Sequence, residues 1–320
     1  MQSALIEPLD ARCPVTWTWD YKSSLERLRA LYDKAKHEQW DGQTTLDWSI
    51  QVDPEHENFP DMQVPIYGTP LWNKLDARNI RELRHHQLSW TLSQFLHGEQ
   101  GALLATAQIV NTVPWIDAKL YASTQVVDEA RHVEVYERYL REKVEMNYSI
   151  NGSLHTLLDQ ILSDSRWDMK YLGMQILVEG LALAAFKFIH SFTSEPLIRD
   201  LTHHVMRDEA RHVAFGVLSL SGYYATLTER ERREREEFTY EACRLMRDRF
   251  LQREVWDHMG LPVEECVELT LHSPAMREFR RLLFMRVVPN VKRLGLLSPF
   301  LRARFEELGI LQFENEAPDA

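Results

Sequence analysis

The sequence predicts an all-α fold: four long helices packed as a bundle, with further helices before and after it. Three observations predict it. Long stretches carry apolar residues at helical spacing, and no segment shows the alternation of a half-buried strand. The pentapeptide Asp-Glu-Ala-Arg-His occurs twice, at 128–132 and 208–212, and thirty residues before the glutamate of each copy stands a lone glutamate in an apolar stretch, Glu99 or Glu179. The two halves are offset by 80 residues throughout (Glu99 to Glu179, Glu129 to Glu209, His132 to His212).

Taken in order, residues 1–20 read as an irregular arm. A helix is expected over about 21–39, with Leu25, Leu28 and Leu31 at helical spacing. Residues 40–72 are rich in proline and glycine and hold Trp40 and Trp48, so they read as an extended loop wrapping the body. The first long helix is placed at 76–112, with Leu92, Phe95, Leu96, Glu99, Leu103 and Thr106 facing inward. Pro114 marks a turn into the second, at 115–146. Asn151-Gly152 breaks the chain, and a short helix runs to 162. The third long helix covers 166–192. Glu195-Pro196 opens the fourth, which runs to 227. A charged helix is expected over 228–258, stopped by Gly260 and Pro262, and one or two more over 263–312. The organisation is one helical domain, 1–320: arm, helix and loop to 75, four-helix core over 76–227, and a helical extension over 228–320.

The doubled word has a chemical reading. On a helix, i and i+3 share a face, so Glu129 with His132, and Glu209 with His212, each present a carboxylate and an imidazole to one centre. Thirty residues between ligands is a long helix, a turn and part of an antiparallel neighbour. Four carboxylates and two imidazoles then converge, the donor set for a pair of divalent ions. Loaded, the carboxylate and cation charges cancel; empty, four like charges would share a low-dielectric core. Oxygen and imidazole ligands suit iron or manganese, and the lack of thiolate argues against structural zinc.

Around these ligands, Asp128 and Asp208 precede the two Glu-x-x-His pairs. They are placed to accept the outer N–H of a ligating histidine, each serving the opposite half, with Arg131 and Arg211 pairing to them. Tyr136 lies one turn past His132 and is a candidate catalytic residue; redox work, a hydrogen bond to bound oxygen and core packing all remain open for it. The equivalent Gly216 is expected to leave a void for substrate. Candidate pocket residues one turn or more from the ligands are Phe95, Leu103, Gln175, Leu183, Phe186, Val205 and Gly216. His85, His86, His97, His203 and His204 do not fall on the ligand face and are read as non-ligands.

Composition bounds the function. A net charge of −11 argues against a nucleic-acid partner. Cys13, Cys243 and Cys266 are too scattered for a disulfide framework and fit reduced thiols in a cytoplasmic protein. The first residues lack the basic and apolar regions of a secretion signal. The stretch 171–189 is apolar enough to resemble a membrane span, but Glu179 at its centre makes it a buried core helix, so no membrane partner is expected.

With Glu99, Glu129, His132, Glu179, Glu209 and His212 and both Asp-Glu-Ala-Arg-His copies in view, residues 76–225 resemble the ferritin-like di-iron carboxylate oxidases and oxygenases. That group includes multicomponent monooxygenase hydroxylases, the ribonucleotide reductase small subunit with its ligand-binding oxidase relatives, and arylamine N-oxygenases. The resemblance implies a ferritin-like four-helix core. It implies two iron ions, or a manganese–iron pair, bridged by Glu129 and Glu209; Glu99 and His132 complete one ion, Glu179 and His212 the other. It further implies O2 as co-substrate, a small organic substrate undergoing hydroxylation, N-oxygenation or desaturation, an electron-donor ferredoxin or reductase, and a homodimer. The alternatives are a radical-generating subunit, with Tyr136 as the radical, or a ferroxidase or other iron-handling protein. The subfamily stays open: Leu183 stands where the methane and toluene hydroxylases carry threonine, Val205 where arylamine N-oxygenases carry a further histidine, and Glu99 where the reductase subunit usually carries aspartate.

Overall fold

The computed structural model describes residues 7–317. The first residues of the expected arm (1–6) and the end of the acidic tail (318–320) lie outside them. No strand occurs among the described residues.

Helix α1 (Glu26–His37) starts later than its apolar spacing indicates, because the Asp117 carboxylate accepts the Ser24 and Leu25 amides and holds the preceding chain extended. The loop after it then runs around the body to Asp76, broken by single turns at Asp61–Gln63 and Trp72–Lys74. It is tied down at intervals: Lys143 donates to the Trp48 and Ile50 carbonyls, Arg84 grips Asp61 with two bonds, and the Ser194 amide donates to Asn58.

Four rods make the core. Helix α2 (Ala77–Thr112) is opened by Asp76, whose carboxylate accepts the Asn79 amide and satisfies a donor that the first turn leaves free. It lies antiparallel to α3 (Ile116–Tyr139), which runs on through a π-helical turn, Leu140–Val144, and stops at Glu145 in left-handed backbone (φ 55°). After α4 (Gly152–Ser163) comes the third rod. It is not one uniform α-helix: α5 (Trp167–Tyr171) passes into a wholly buried π-helical stretch, Leu172–Val178, and then α6 (Glu179–Phe192). A π turn takes up an extra residue, so side chains before and after it fall out of α-helical register. The rod is apolar and long enough to cross a membrane, yet 83% of its apolar window is buried within the protein, as a core helix should be. Helix α7 (Pro196–Leu220) follows, capped by Glu195, which also accepts the Tyr139 hydroxyl from α3. Helix α2 packs on α3, and α6 on α7.

The C-terminal extension differs from the expected long charged helix. Helix α8 (Glu229–Asp248), opened by a Thr228–Glu231 capping box, gives way to a tight turn at Arg249–Leu251. Gln252, at φ 52°, breaks the rod before α9 (Arg253–His258). Three further helices follow rather than one or two: α10 (Val263–His272), α11 (Pro274–Arg293) and α12 (Pro299–Glu307). Prolines at the first positions of the last two supply the extra starts. Helix α11 covers α6, while α9 and α10 build a second, smaller apolar cluster with Trp90 and the loop residues Val64, Ile66 and Leu71.

Rods pack closely where glycine permits it. A Cβ on Gly173 would lie 2.5 Å from Cγ1 of Ile161 and 3.1 Å from the Phe238 ring. Gly173→Val therefore overpacks the α4–π-segment contact. The expected result is a loss of about 2 kcal/mol, read as a lower thermal midpoint; an unchanged midpoint would contradict this packing.

Candidate dinuclear metal centre

The ligand candidates come from four rods: Glu99 from α2, Glu129 and His132 from α3, Glu179 at the start of α6, and Glu209 and His212 from α7. All six are at most 5% exposed. Glu99, Glu129, His132 and Glu209 place one donor atom each within 4.8 Å of one another, and Glu129, Glu179 and His212 form a second such group. Glu129 reaches both imidazoles, its oxygens 3.4 Å from Nδ1 of His132 and 3.1 Å from Nδ1 of His212; Glu209 does the same at 3.3 and 3.5 Å. The structure thus brings all six sequence-selected residues together, with Glu129 and Glu209 in the middle.

The outer nitrogens cross between halves. Nε2 of His132 lies 3.1 Å from Asp208, and Nε2 of His212 lies 3.3 Å from Asp128. An imidazole that binds a cation through Nδ1 keeps its proton on Nε2 and donates it to that aspartate. Arg131 and Arg211 each bond both aspartates, giving a buried square of two cations and two anions under the centre. Sequence reasoning missed the next layer. Gln39 donates to Asp128 at 2.9 Å, the indole N–H of Trp40 donates to Asp208 at 2.7 Å, and Trp40 stacks on His204 and under the Arg131 guanidinium. It also missed Gln125, fully buried, whose amide donates to Glu129 at 2.9 Å and Glu179 at 3.0 Å. Its position one turn before Glu129 was the available signal.

The cluster fits a pair of cations. Oε2 of Glu129, Glu179 and Glu209 and Nδ1 of His212 are buried without a hydrogen-bond partner, and such atoms need a partner or an ion. Burial, then repulsion from Glu209 and Glu129, pushes the Glu179 carboxyl well up. Burial also raises Glu99, against the pull of His132. Glu129 goes the other way: burial opposes ionisation, but His212 and His132 hold it well below the usual carboxylate range. Both imidazoles rise despite burial, His132 through Glu99 and His212 through Glu129 and Glu209.

The pocket residues divide. Phe95, Phe186 and Tyr136 form an aromatic trio, with ring centres 4.7, 5.9 and 6.0 Å apart, and the buried Tyr136 hydroxyl has no partner. A small pocket of about 30 Å³ lies among Phe95, Phe186, Glu99, Glu179, Glu209 and Arg249. Phe95 also lines a cavity of about 830 Å³ between the wrapping loop, α2, α6 and α11. Leu103, Gln175, Leu183, Val205 and Gly216 line neither. Leu103 is half-buried one turn past Glu99 on α2, and Leu183 and Val205 are core. Gln175 lies within the π segment and packs on Gly216, where a Cβ would meet it at 2.7 Å. The expected void at Gly216 is therefore filled. Of the histidines read as non-ligands, His85 and His97 bond backbone carbonyls, His86 bonds Tyr148, and His203 lies against His190 and His204.

The family described as P-aminobenzoate N-oxygenase AurF matches residues 21–295, spanning all four rods. The chain belongs to the AurF family. Comparison with curated proteins finds no match. Among solved structures, a point mutant of R2-like ligand-binding oxidase with an anaerobically reconstituted Mn/Fe cofactor is similar at 18% identity and a TM-score of 0.52, over 88% of this chain and 95% of that one. An aerobically reconstituted Mn/Fe form of that oxidase is similar at 14% identity and a TM-score of 0.53, over 88% and 94%. These likenesses fix the ferritin-like fold. As an AurF-family chain with this buried cluster, the protein is an O2-activating dinuclear iron oxidoreductase acting on a small organic substrate. Within the AurF family it carries the buried Val205 where the resemblance implied a further histidine, and Gln125 on the matching turn of the other half.

Protons held by the raised imidazoles and carboxyls must leave when cations arrive. Metal uptake is expected to release protons and to weaken as pH falls from about 8 to about 6. Calorimetry in two buffers of different ionisation enthalpy measures this, and zero proton release would contradict it. Asp208→Asn should weaken the His132 side by about tenfold or more, read by metal titration.

Proposed function

We propose that Glu129 and Glu209 bridge two iron ions, that Glu99 and His132 complete one and Glu179 and His212 the other, and that the enzyme N-oxygenates a small amine. The observation that carries this reading is the doubled Glu–His cluster, with its partnerless buried oxygens beside an apolar pocket, in a chain of the P-aminobenzoate N-oxygenase family. A bound iron pair supplies the two-electron activation of O2. The protein's own residues do the rest. Asp208 and Asp128 hold the tautomer of His132 and His212. Gln125 steadies Glu129 and Glu179. Phe95, Phe186 and Tyr136 keep water from the face where substrate arrives, and Tyr136 acts there as a wall.

The same reading assigns the remaining features. The chain acts as one helical domain in which residues 76–227 hold the metals. Reducing equivalents come from a ferredoxin or reductase, since reductive activation of O2 draws two electrons per turnover from outside the substrate. The exposed run Val15, Trp17, Trp19 and Tyr21 supports a homodimer through the arm, and the free cysteines fit the cytoplasm.

Iron-loaded protein, given reductant, O2 and p-aminobenzoate, is expected to add one oxygen atom at nitrogen, read by mass spectrometry with labelled O2. Ring hydroxylation instead would keep the oxygenase and discard the N-oxygenation. Glu209→Ala should bind fewer than two irons per chain and lose turnover by about a thousandfold or more, while still folding. Two tightly bound irons in that variant would refute the bridging role.

A further inference from the structure

We propose that Arg249 anchors the carboxylate of the substrate, which makes it the residue that selects an acid over its amide. This deepens the oxygenase reading and rests on it. Arg249 sits in the tight turn that closes α8 and is 4% exposed. Its Nε has no partner, and the guanidinium has no hydrogen bond or ion pair among the described residues. Its one charge-directed neighbour is the Phe250 ring, 5.0 Å away. It forms part of the wall of the small pocket that Glu99, Glu179 and Glu209 also line.

Charge accounting isolates it. Four glutamates balance two divalent ions, and Asp128 and Asp208 balance Arg131 and Arg211. In the larger cavity Arg84 is already spoken for, held by Asp61 at 2.9 and 2.7 Å. Arg249 is left over. Burial lowers its pKa only to about 10, so it remains a cation at neutral pH. A buried cation without a counter-ion is costly, and an anion entering the pocket would relieve it.

The pocket also selects the anion. A planar carboxylate matches the guanidinium fork. Its room, about 30 Å³, suits a small head group. The larger cavity, about 830 Å³, shares Phe95 with this pocket and is walled by side chains such as Leu92, Phe188, Ile189, Met276 and Phe279, which gives an apolar body its place.

The test is calorimetric titration of iron-loaded protein with two isosteric pairs: p-aminobenzoate against p-aminobenzamide, and 4-hexylbenzoate against 4-hexylbenzamide. Wild type is expected to prefer each acid by about tenfold or more, and Arg249→Gln to reduce that preference to within about twofold while keeping two irons. Equal binding of acid and amide by wild type overturns the proposal, whatever the variants do. An undiminished preference in Arg249→Gln also overturns it and assigns the carboxylate to iron. If that variant does not fold, Arg249→Lys decides: the charge without the fork should lose about threefold or more of the preference, and an unchanged preference overturns the proposal. O2 uptake by the reduced protein without substrate tests the oxygenase reading separately. Acid preference dependent on Arg249 with no O2 uptake would retain the anchor and discard the oxygenase.

Discussion

Four carboxylates and two imidazoles cannot share a dry helical core unless something cancels their charge, and the rest of this protein is arranged around that constraint. The ligand residues are almost wholly shielded from water, and several oxygens have no protein partner. In a low-dielectric interior, like charges this close raise one another's proton affinity until protons or cations intervene. Two divalent ions are the economical answer, because they neutralise the carboxylates and occupy the orphaned lone pairs together. The layer beneath the centre is then required to be neutral as well. The Asp128, Asp208, Arg131 and Arg211 square meets that condition beneath the centre.

The centre is symmetric where it holds metal and asymmetric where it meets substrate. The two halves exchange support, each aspartate bonding the histidine of the other half, so neither half can form its site alone. Away from the ligands the repeat lapses. Gln125 stands opposite Val205, and Tyr136 opposite Gly216. Gln175 fills the space at Gly216 and closes that side, while the aromatic trio and the small pocket mark the other. Glu99, Glu179 and Glu209 reach that pocket and Glu129 does not, so one face of the centre opens inward and the opposite face is locked.

The metal site was legible because its signal is local and repeated: i, i+3 spacing on a helix fixes a face, and duplication in one chain is hard to produce otherwise. The paired aspartates were legible for the same reason, including their crossing between halves. Other features depended on distant contacts or on backbone geometry that periodicity does not encode. Gln39 and Trp40 reach Asp128 and Asp208 only because the loop after α1 folds back over them. The π segment before Glu179 reads as ordinary helix in sequence, and Gln175 within it packs on Gly216 instead of lining a pocket. Gln252 looks like any helix residue, yet its left-handed backbone ends the charged rod and leaves Arg249 turned into the interior.

That last break shows what the additional helices accomplish. A bare four-helix core would expose the open face of the metal centre at the bundle surface. Here the wrapping loop and the C-terminal helices meet over that face. Phe59, Met62 and Val64 come from the loop, Phe250 from the turn after α8, and Met276 and Phe279 from α11; together with α2 and α6 they enclose the large cavity. The loop is held by Arg84–Asp61 and by Ser194–Asn58, both at the cavity side, so its position is set by α2 and by the chain between α6 and α7, which flank the ligand helices. Substrate space and metal centre are thus fixed by the same rods, with Phe95 of α2 standing in both walls. A change at Phe95 acts on access and on the environment of Glu99 at once, because one turn of α2 separates the two side chains.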